Sequence, residues 1–188
     1  MAKIILGVDP GLTRLGVAVI ESSSSRTVSL KFVNTFKTSP ELELSQRIGQ
    51  LGSDLEGLIK TYKPSTIALE RVFAQSNLRS VMGVAQISGV VIFLAQKYSI
   101  PLEMHTPSEV KAAVTGSGRA QKAQMGLAVA KILGLAEVPK PADSADAIAI
   151  AICNAWRSPV SSDRAADETK AQTAWKAAER VASRNKNA

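Results

Sequence analysis

The sequence predicts an α/β fold with a mixed sheet flanked by helices. Three observations support this prediction. Apolar segments are arranged as three strands, then helix, strand, helix, strand and further helices. Hydrophobic residues make up 45% of the 188 residues and aromatic residues only 4%, so the core is built from aliphatic side chains. The length suits one domain, and the sequence contains no internal repeat.

The first three segments predict a hairpin followed by an edge strand. The run "KIILGVD" at Lys3–Asp9 is continuously apolar and ends in an acid, which is typical of a buried strand. A turn containing Pro10 and Gly11 leads into a second strand at Leu15–Glu21, which pairs back on the first. The roughly alternating segment Thr27–Phe36 predicts a third strand at the edge of the sheet.

Helices and strands alternate over the next part of the chain. Apolar residues at helical spacing predict a helix that is capped by Ser39 and ended by Pro64, and then a short strand at Ser65–Glu70. An unusually apolar helix at Asn77–Ser99 precedes another strand in "SIPLEMH". A short helix, a Gly-Ser-Gly loop and a helix over Ala120–Leu133 follow.

The last apolar segment and the residues after it differ sharply in character. "PADSADAIAIAICNAW" at Pro141–Trp156 predicts an apolar helix with two acids near its start. From Ser158 the chain is rich in Ser and Ala and carries six Lys or Arg against four acids. We therefore expect one domain at 1–157 and a basic tail at 158–188 that is flexible or weakly helical.

Composition and charge limit the classes of function. The formal net charge of +7 and the pI near 9.7 favour an anionic partner, of which nucleic acid is the commonest. Cys153 is the one cysteine, which excludes an internal disulfide framework, and His105 is the one histidine, which argues against a zinc site. No signal peptide and no apolar stretch of roughly 18 residues is found, so we expect a cytoplasmic protein that does not act at a membrane.

Four acids stand at the ends of buried segments. Asp9 and Glu70 each end a predicted strand, where ligands gather in α/β sheets. Asp143 and Asp146 are three residues apart and share one face of the last apolar helix. If that helix packs beside the two strand ends, the carboxylates converge, and oxygen-only ligands indicate Mg²⁺ or Mn²⁺. Two such ions about 4 Å apart form a clamp for in-line attack on a phosphodiester.

Each of these acids also has a purely structural interpretation. Asp143 could be the N-cap of the helix, and Asp146 a first-turn acid favoured by the helix dipole. Glu70 could be a surface residue, and Asp9 could simply begin a turn. The occurrence of all four acids in this strand, strand and helix order favours the metal site.

Three segments resemble the RuvC family, the bacterial Holliday junction resolvases. They are "ILGVDPGLTRLGVAVIE", "IALERVF" and "KPADSADAIAIAICNAW", and the likeness over about 2–156 includes "SEVKAAVTGSGRAQKAQM". The resemblance implies a ribonuclease H-like fold with a mixed five-stranded sheet, a homodimer, and two Mg²⁺ ions per active site with Mn²⁺ as a substitute. Asp9, Glu70, Asp143 and Asp146 match the acidic quartet of the family, in which some relatives have His at the place of Asp143. The tail has no counterpart in the family pattern.

The activity implied by the resemblance is that of an endodeoxyribonuclease. Such enzymes resolve four-way DNA junctions by paired, symmetric nicks in strands of equal polarity, in homologous recombination and DNA repair. The resemblance also implies a sequence preference at the nick and cooperation with a branch-migration complex, RuvA–RuvB.

Several residues outside the quartet are candidates for contact with DNA. Phe73 either packs in the core or, as the resemblance implies, inserts near the junction point, where an aromatic ring stacks on bases. Lys111 and Lys122 match positions that the family uses near the scissile phosphate, and Lys122 is expected to steady the charge of the transition state. Other candidates for phosphate contact, which could equally be solvated charges, are Arg71, Arg79 and Arg119.

The long helix at Asn77–Ser99 is apolar nearly all round, which permits two interpretations. It is either a core helix covered on two sides or, as the resemblance implies, a helix with one face in a two-fold dimer contact.

Three other functions compete with junction resolution. An actin-like phosphotransferase shares the turn in "DPGLTRLG" but needs two such units, and a chain of 188 residues without a repeat holds one. A related nuclease of the YqgF type would cut RNA, but the "ERVF" and "SGRAQK" segments favour the resolvase. A nucleic-acid-binding module without activity would explain the positive charge but not the four acids.

Overall fold

The computed structural model describes residues 2–23, 26–71 and 78–157, with the backbone alone described for 78–80. Its elements belong to one unit that ends at Trp156, and the tail predicted at 158–188 lies outside the described residues. In chain order the elements are β1 (Lys3–Asp9), β2 (Arg14–Ser22), β3 (Val28–Lys37), α1 (Leu44–Tyr62), β4 (Thr66–Glu70), α2 (Leu78–Lys97), β5 (Leu102–His105), α3 (Pro107–Thr115), α4 (Lys122–Leu133) and α5 (Ala142–Trp156).

The five strands form one mixed sheet in the order β3-β2-β1-β4-β5. β1 pairs antiparallel with β2 and β2 with β3, whereas β1, β4 and β5 are parallel. The predicted mixed sheet and the edge position of β3 are therefore confirmed. In the antiparallel part Asp9 pairs with Gly16, and Gly16 pairs with Thr35, so these three residues form one row across β1, β2 and β3.

The sheet separates two layers of helices. Side chains alternate across a strand, so Ile5 of β1 packs with the helices on one face, whereas Leu6 and Val8 pack with those on the other. The first face is covered by α5, with α3 and α4 against it, and the second face is covered by α1 and α2. Asp9 follows Ile5 by four residues, so the alternation directs it toward the α5 layer.

The prediction that Ser39 caps the first helix is wrong. α1 begins at Leu44, and Glu43 is its N-cap. The hydroxyl of Ser39 accepts instead from the backbone N–H of Glu41 at 3.2 Å, within a turn that precedes the helix. The side-chain oxygen of Gln46 accepts from the backbone N–H of Glu43 at 3.1 Å, and this bond stabilises an N-cap four residues beyond the predicted one.

The interpretation of α2 as a core helix covered on two sides is also wrong. Three large apolar side chains on it are exposed: Met82 by 59%, Ile92 by 42% and Phe93 by 63%. With the exposed Ala85 and Gly89 they form an apolar stripe along one side of the helix. The opposite side, which packs on the sheet, is buried at Ile87, Val91, Leu94 and Ala95.

Among the described helices, none has the length and apolar character needed to cross a membrane.

Candidate active site

Two of the predicted site residues come together because β1 and β4 are parallel neighbours. Val8 pairs with Leu69, and each is followed by the acid that ends its strand, Asp9 and Glu70. The carboxyl ends of parallel strands lie at one edge of the sheet. Both acids are only partly exposed there, between the sheet and the helices.

α5 brings the other two acids to the same edge because two glycines let it lie directly on the strands. A Cβ atom at Gly7 would stand 2.4 Å from the carbonyl oxygen of Ala147, and one at Gly16 would stand 2.4 Å from that of Asp143. No side chain fits into such a space, so the helix backbone rests on the backbone of β1 and β2. The first turn of α5 is thereby held above Asp9.

The resulting cluster joins three carboxylates closely. One oxygen from each of Asp9, Asp143 and Asp146 lies within 4.8 Å of the others. Glu70 lies near this cluster, because its charge raises the pKa of Asp9. The charge of Asp146 in turn raises the pKa of Glu70. Since α5 begins at Ala142, Asp143 is a residue of its first turn, and the interpretation of Asp143 as the N-cap is wrong.

Burial and the neighbouring negative charges raise the pKa values of the two acids that end the strands, Asp9 and Glu70. The pKa of Asp9 is raised to about 7, first by burial and then by the charges of Glu70, Asp146 and Asp143. Burial likewise raises the pKa of Glu70, with a further contribution from Asp146. A site that crowds carboxylates at such a cost to their ionisation is typical of function rather than of stability.

Two cations lie against the cluster. The Nζ atom of Lys122 is 3.3 Å from Oδ2 of Asp146, and this contact is the largest cause of the raised pKa of Lys122. Nη1 of Arg14 is 3.8 Å from Oδ2 of Asp143. Arg14 was not among the residues predicted from the sequence; its place at the start of the strand that pairs with β1, five residues after Asp9, is the signal that would have indicated it.

The donor set fits a hard divalent cation. Oδ2 of Asp143 is buried and accepts no hydrogen bond among the described residues. The guanidinium of Arg14 faces this oxygen at 3.8 Å but does not donate to it, so the buried oxygen still lacks a direct ligand, which a bound cation would supply. The cluster offers carboxylate oxygens alone, as Mg²⁺ and Mn²⁺ prefer.

The other predicted DNA contacts are placed less closely around this centre. The positive charge of Lys111 on α3 partly offsets the rise in the pKa of Glu70. Lys111 therefore lies on the side of the site formed by β4. Arg71 is exposed just after β4, and Arg119 is exposed in the loop before α4. Phe73 and the side chain of Arg79 lie outside the described part of the chain.

The raised pKa of Asp9 predicts a pH-dependent stability in EDTA. The fold favours the protonated form, so the contribution of Asp9 to stability is fully present below its ordinary pKa of 3.8 and declines as the pH rises to about 7. Asp9→Asn should therefore raise the midpoint of thermal unfolding at pH 8, by about 2–4 °C for each kcal/mol that is no longer spent on burying the charge and on repulsion. At pH 4 the variant and the wild type should have the same midpoint of thermal unfolding. The prediction would be contradicted if their midpoints were also equal at pH 8.

Comparisons with known proteins agree in family and fold. The family model described as crossover junction endodeoxyribonuclease RuvC matches residues 5–154. The RuvC of Leifsonia xyli subsp. xyli is 48% identical over 198 aligned positions, covering 98% of this chain and 95% of that protein. The RuvC of Rhodococcus opacus is 51% identical over 156 positions, covering 83% and 82%.

Solved structures show the same likeness. Thermus thermophilus RuvC, solved in complex with a Holliday junction substrate, matches with a TM-score of 0.77 and 31% identity, over 81% of this chain and 93% of that chain. The yeast mitochondrial Holliday junction resolvase Ydc2 matches with a TM-score of 0.60 over 80% of this chain and 77% of its own. Its identity of 15% makes this a likeness of fold alone.

Proposed function

This chain belongs to the RuvC family of crossover junction endodeoxyribonucleases, and from that premise we propose that it resolves Holliday junctions by paired, symmetric nicks in two strands of equal polarity. Its fold is ribonuclease H-like. The observation that carries the proposal is the convergence of Asp9, Asp143 and Asp146, with Glu70 coupled to them, at one edge of the sheet. Carboxylates gathered in this way serve the metal-assisted hydrolysis of phosphodiesters.

The four acids would hold Mg²⁺, two ions per active site, with Mn²⁺ as a substitute. Such ions, when bound, supply an activated water for attack and stabilise the leaving oxygen. Asp9 has to release its proton before it can act as a ligand, so binding should strengthen as the pH rises through about 7. Lys122, 3.3 Å from Asp146, would place a positive charge where the negative charge of the transition state develops.

Basic residues around the acids would hold the phosphates of the junction. Lys111, Arg119 and Arg71 are the described candidates, while contacts by Arg79 and stacking by Phe73 stay predictions. Binding that depends on phosphate charge and on junction shape should weaken steeply with salt.

The apolar stripe of α2 supports a homodimer. Contiguous exposed apolar side chains on one helix face are typical of an interface, and Met82, Ile92 and Phe93 supply them here. A two-fold contact through this stripe would direct two equal active sites at two strands of the same polarity, as a symmetric junction requires. Cooperation with a branch-migration complex, RuvA–RuvB, is part of the same proposal.

Phe93→Glu is expected to convert the dimer into a folded monomer, because the contact would bury a charge without a partner. Light scattering during gel filtration measures the mass, and a junction assay should then show single rather than paired nicks. Leu127→Glu is the matched control, since Leu127 on α4 is 64% exposed, close to the 63% of Phe93. A dimer that persists in Phe93→Glu would place the contact elsewhere.

The proposal as a whole is tested by cleavage of a synthetic four-way junction. Linear duplex and an RNA–DNA hybrid are the control substrates, each with Mg²⁺ and with EDTA. Paired nicks on the junction alone, and only with metal, are expected. Cutting of RNA or of the hybrid would indicate a nuclease of the YqgF type instead. Junction binding without cutting under any metal would indicate a binding module without activity.

A further inference from the structure

The first turn of α5 rests on the row formed by Asp9, Gly16 and Thr35. The carboxylates of Asp143 and Asp146 lie within 4.8 Å of that of Asp9. A Cβ atom on Gly16, the middle residue of the row, would meet the carbonyl oxygen of Asp143. At the third residue, Oγ1 of Thr35 lies 3.1 Å from Oγ of Ser144, which stands between the two acids in sequence.

The hydroxyl pair of Thr35 and Ser144 is shielded from water. Thr35 is 9% exposed and Ser144 is 2% exposed. Either hydroxyl can be the donor, and the loss of one leaves the other buried without this partner. The bond joins the edge strand β3 directly to the first turn of α5, at the residue after Asp143.

Small residues meet where α5 lies closest to β1. Ala147 and Ala151 of α5 stand against Gly7, and the larger side chains of the helix pack elsewhere in the same core cluster. Small side chains lack the ridges that fix one element against another. At such a contact a directional hydrogen bond adds a constraint on rotation and axial position that the packing of small side chains does not give.

The far end of α5 has its own attachment. The indole N–H of Trp156 donates to the carbonyl oxygen of Arg26 at 2.9 Å, and the guanidinium of Arg26 donates to the carbonyl oxygen of Trp156 at 2.9 Å. The helix is thus held at its last residue by this pair and at its first turn by Thr35 and Ser144.

We propose that Thr35 and Ser144 are positioning residues, whose hydroxyl bond sets the place of Asp143 and Asp146 over Asp9 and thereby the affinity of the site for divalent cations. The inference rests on the proposed function, because it assigns to that site a support on the sheet edge. Neither residue is placed in contact with the cation or with DNA. Residues that orient metal ligands in this indirect way alter metal affinity when they are removed.

Thr35→Val tests the inference, since it keeps the branched shape and removes the hydroxyl. Mn²⁺ is titrated into the full chain without DNA, and the rise in the thermal midpoint gives the half-saturating concentration. We expect this concentration to rise about 10-fold, the low end for the loss of an indirect support. The same shift is expected in the Mn²⁺ dependence of junction nicking, with much of the rate recovered at saturating Mn²⁺.

Two further variants separate the hydrogen bond from general packing. Thr35→Ser retains a hydroxyl and should restore the half-saturating Mn²⁺ concentration of the wild type, whereas Ser144→Ala should repeat the effect of Thr35→Val. Ser88→Ala is the matched control, because Ser88 on α2 is 6% exposed and its hydroxyl donates to the carbonyl oxygen of Val84 at 2.8 Å, in the other helical layer. It should leave the Mn²⁺ dependence unchanged, whatever its effect on the midpoint in EDTA.

The outcomes distinguish this inference from the proposed function. Wild-type Mn²⁺ dependence in both Thr35→Val and Ser144→Ala would overturn the positioning role and leave the metal site intact. Failure of Thr35→Ser to restore the affinity would also overturn it, because shape and not the hydroxyl would then matter. A wild-type protein that shows no Mn²⁺-induced stabilisation and no nicking would overturn the metal site itself, and the inference with it.

Discussion

The Asp146→Asn variant is expected to bind four-way junctions as tightly as the wild type and to make no measurable nicks in them. Asp146 lies at the centre of the charge network, since it acts on the pKa values of Asp9, Glu70 and Lys122. An amide is a weaker ligand, and it leaves Lys122 without its carboxylate partner. Metal-assisted stabilisation is worth several kcal/mol, so a loss of about a thousandfold or more in nicking rate follows. Junction gel shifts and single-turnover cleavage measure the two properties separately.

Asp54→Asn is the control for this change. Asp54 lies on α1, in the opposite helical layer, and undergoes the same replacement of a carboxylate by an amide. Its nicking rate should equal that of the wild type. An active Asp146→Asn protein would remove Asp146 from the site, and a variant that loses junction binding would show that the acid serves binding rather than the chemical step.

The Gly16→Ala variant is expected to lose nicking by about a hundredfold although it alters no charged or polar side chain. The new Cβ atom would stand 2.4 Å from the carbonyl oxygen of Asp143 and 3.2 Å from Cβ of Asp9, so the first turn of α5 has to move away. A displacement of about 1 Å in a reacting constellation costs a factor of this size. Overpacking should also reduce stability by about 1–3 kcal/mol. Cleavage rates and thermal midpoints are the measurements.

Gly57→Ala provides the comparison for this second prediction. Gly57 lies within α1, and a Cβ atom added there meets nothing within 4 Å. The substitution should raise stability by about 0.5–1 kcal/mol, the usual preference for Ala over Gly in a helix, and should leave nicking unchanged. If Gly16→Ala were as active as Gly57→Ala, the close approach of α5 to β2 would not be required for the site.

The strands and the acids that end them could be predicted because their signals are local. Each of these strands is a continuous apolar run, and the acid that ends it, Asp9 or Glu70, marks its end in the sequence. The start of α1 could not be placed, because Ser39 and Glu43 are both able to cap a helix and the bond from Gln46 selects the latter. The buried face of α2 could not be predicted either, because the helix has apolar residues on both sides and the sequence does not reveal which side meets the sheet.

The site was predictable in its ligands but not in its supports. The four acids could be recognised from the sequence because each is a carboxylate at the end or start of a buried segment. Thr35 and Ser144 are 109 positions apart and are ordinary residues for a strand and a helix, so only the fold reveals their bond. Arg14 likewise gains its meaning from the 3.8 Å approach to Asp143, which depends on how α5 crosses β2.

Because the sheet lies between the two helical layers, the buried residues described on its two sides form two separate core clusters. Changes in unfolding free energy at such separated positions add. Exposed residues of α1 can therefore be replaced without disturbing α5. Stabilising changes such as Gly57→Ala can accordingly be accumulated on one side of the molecule as a reserve against costly changes on the other.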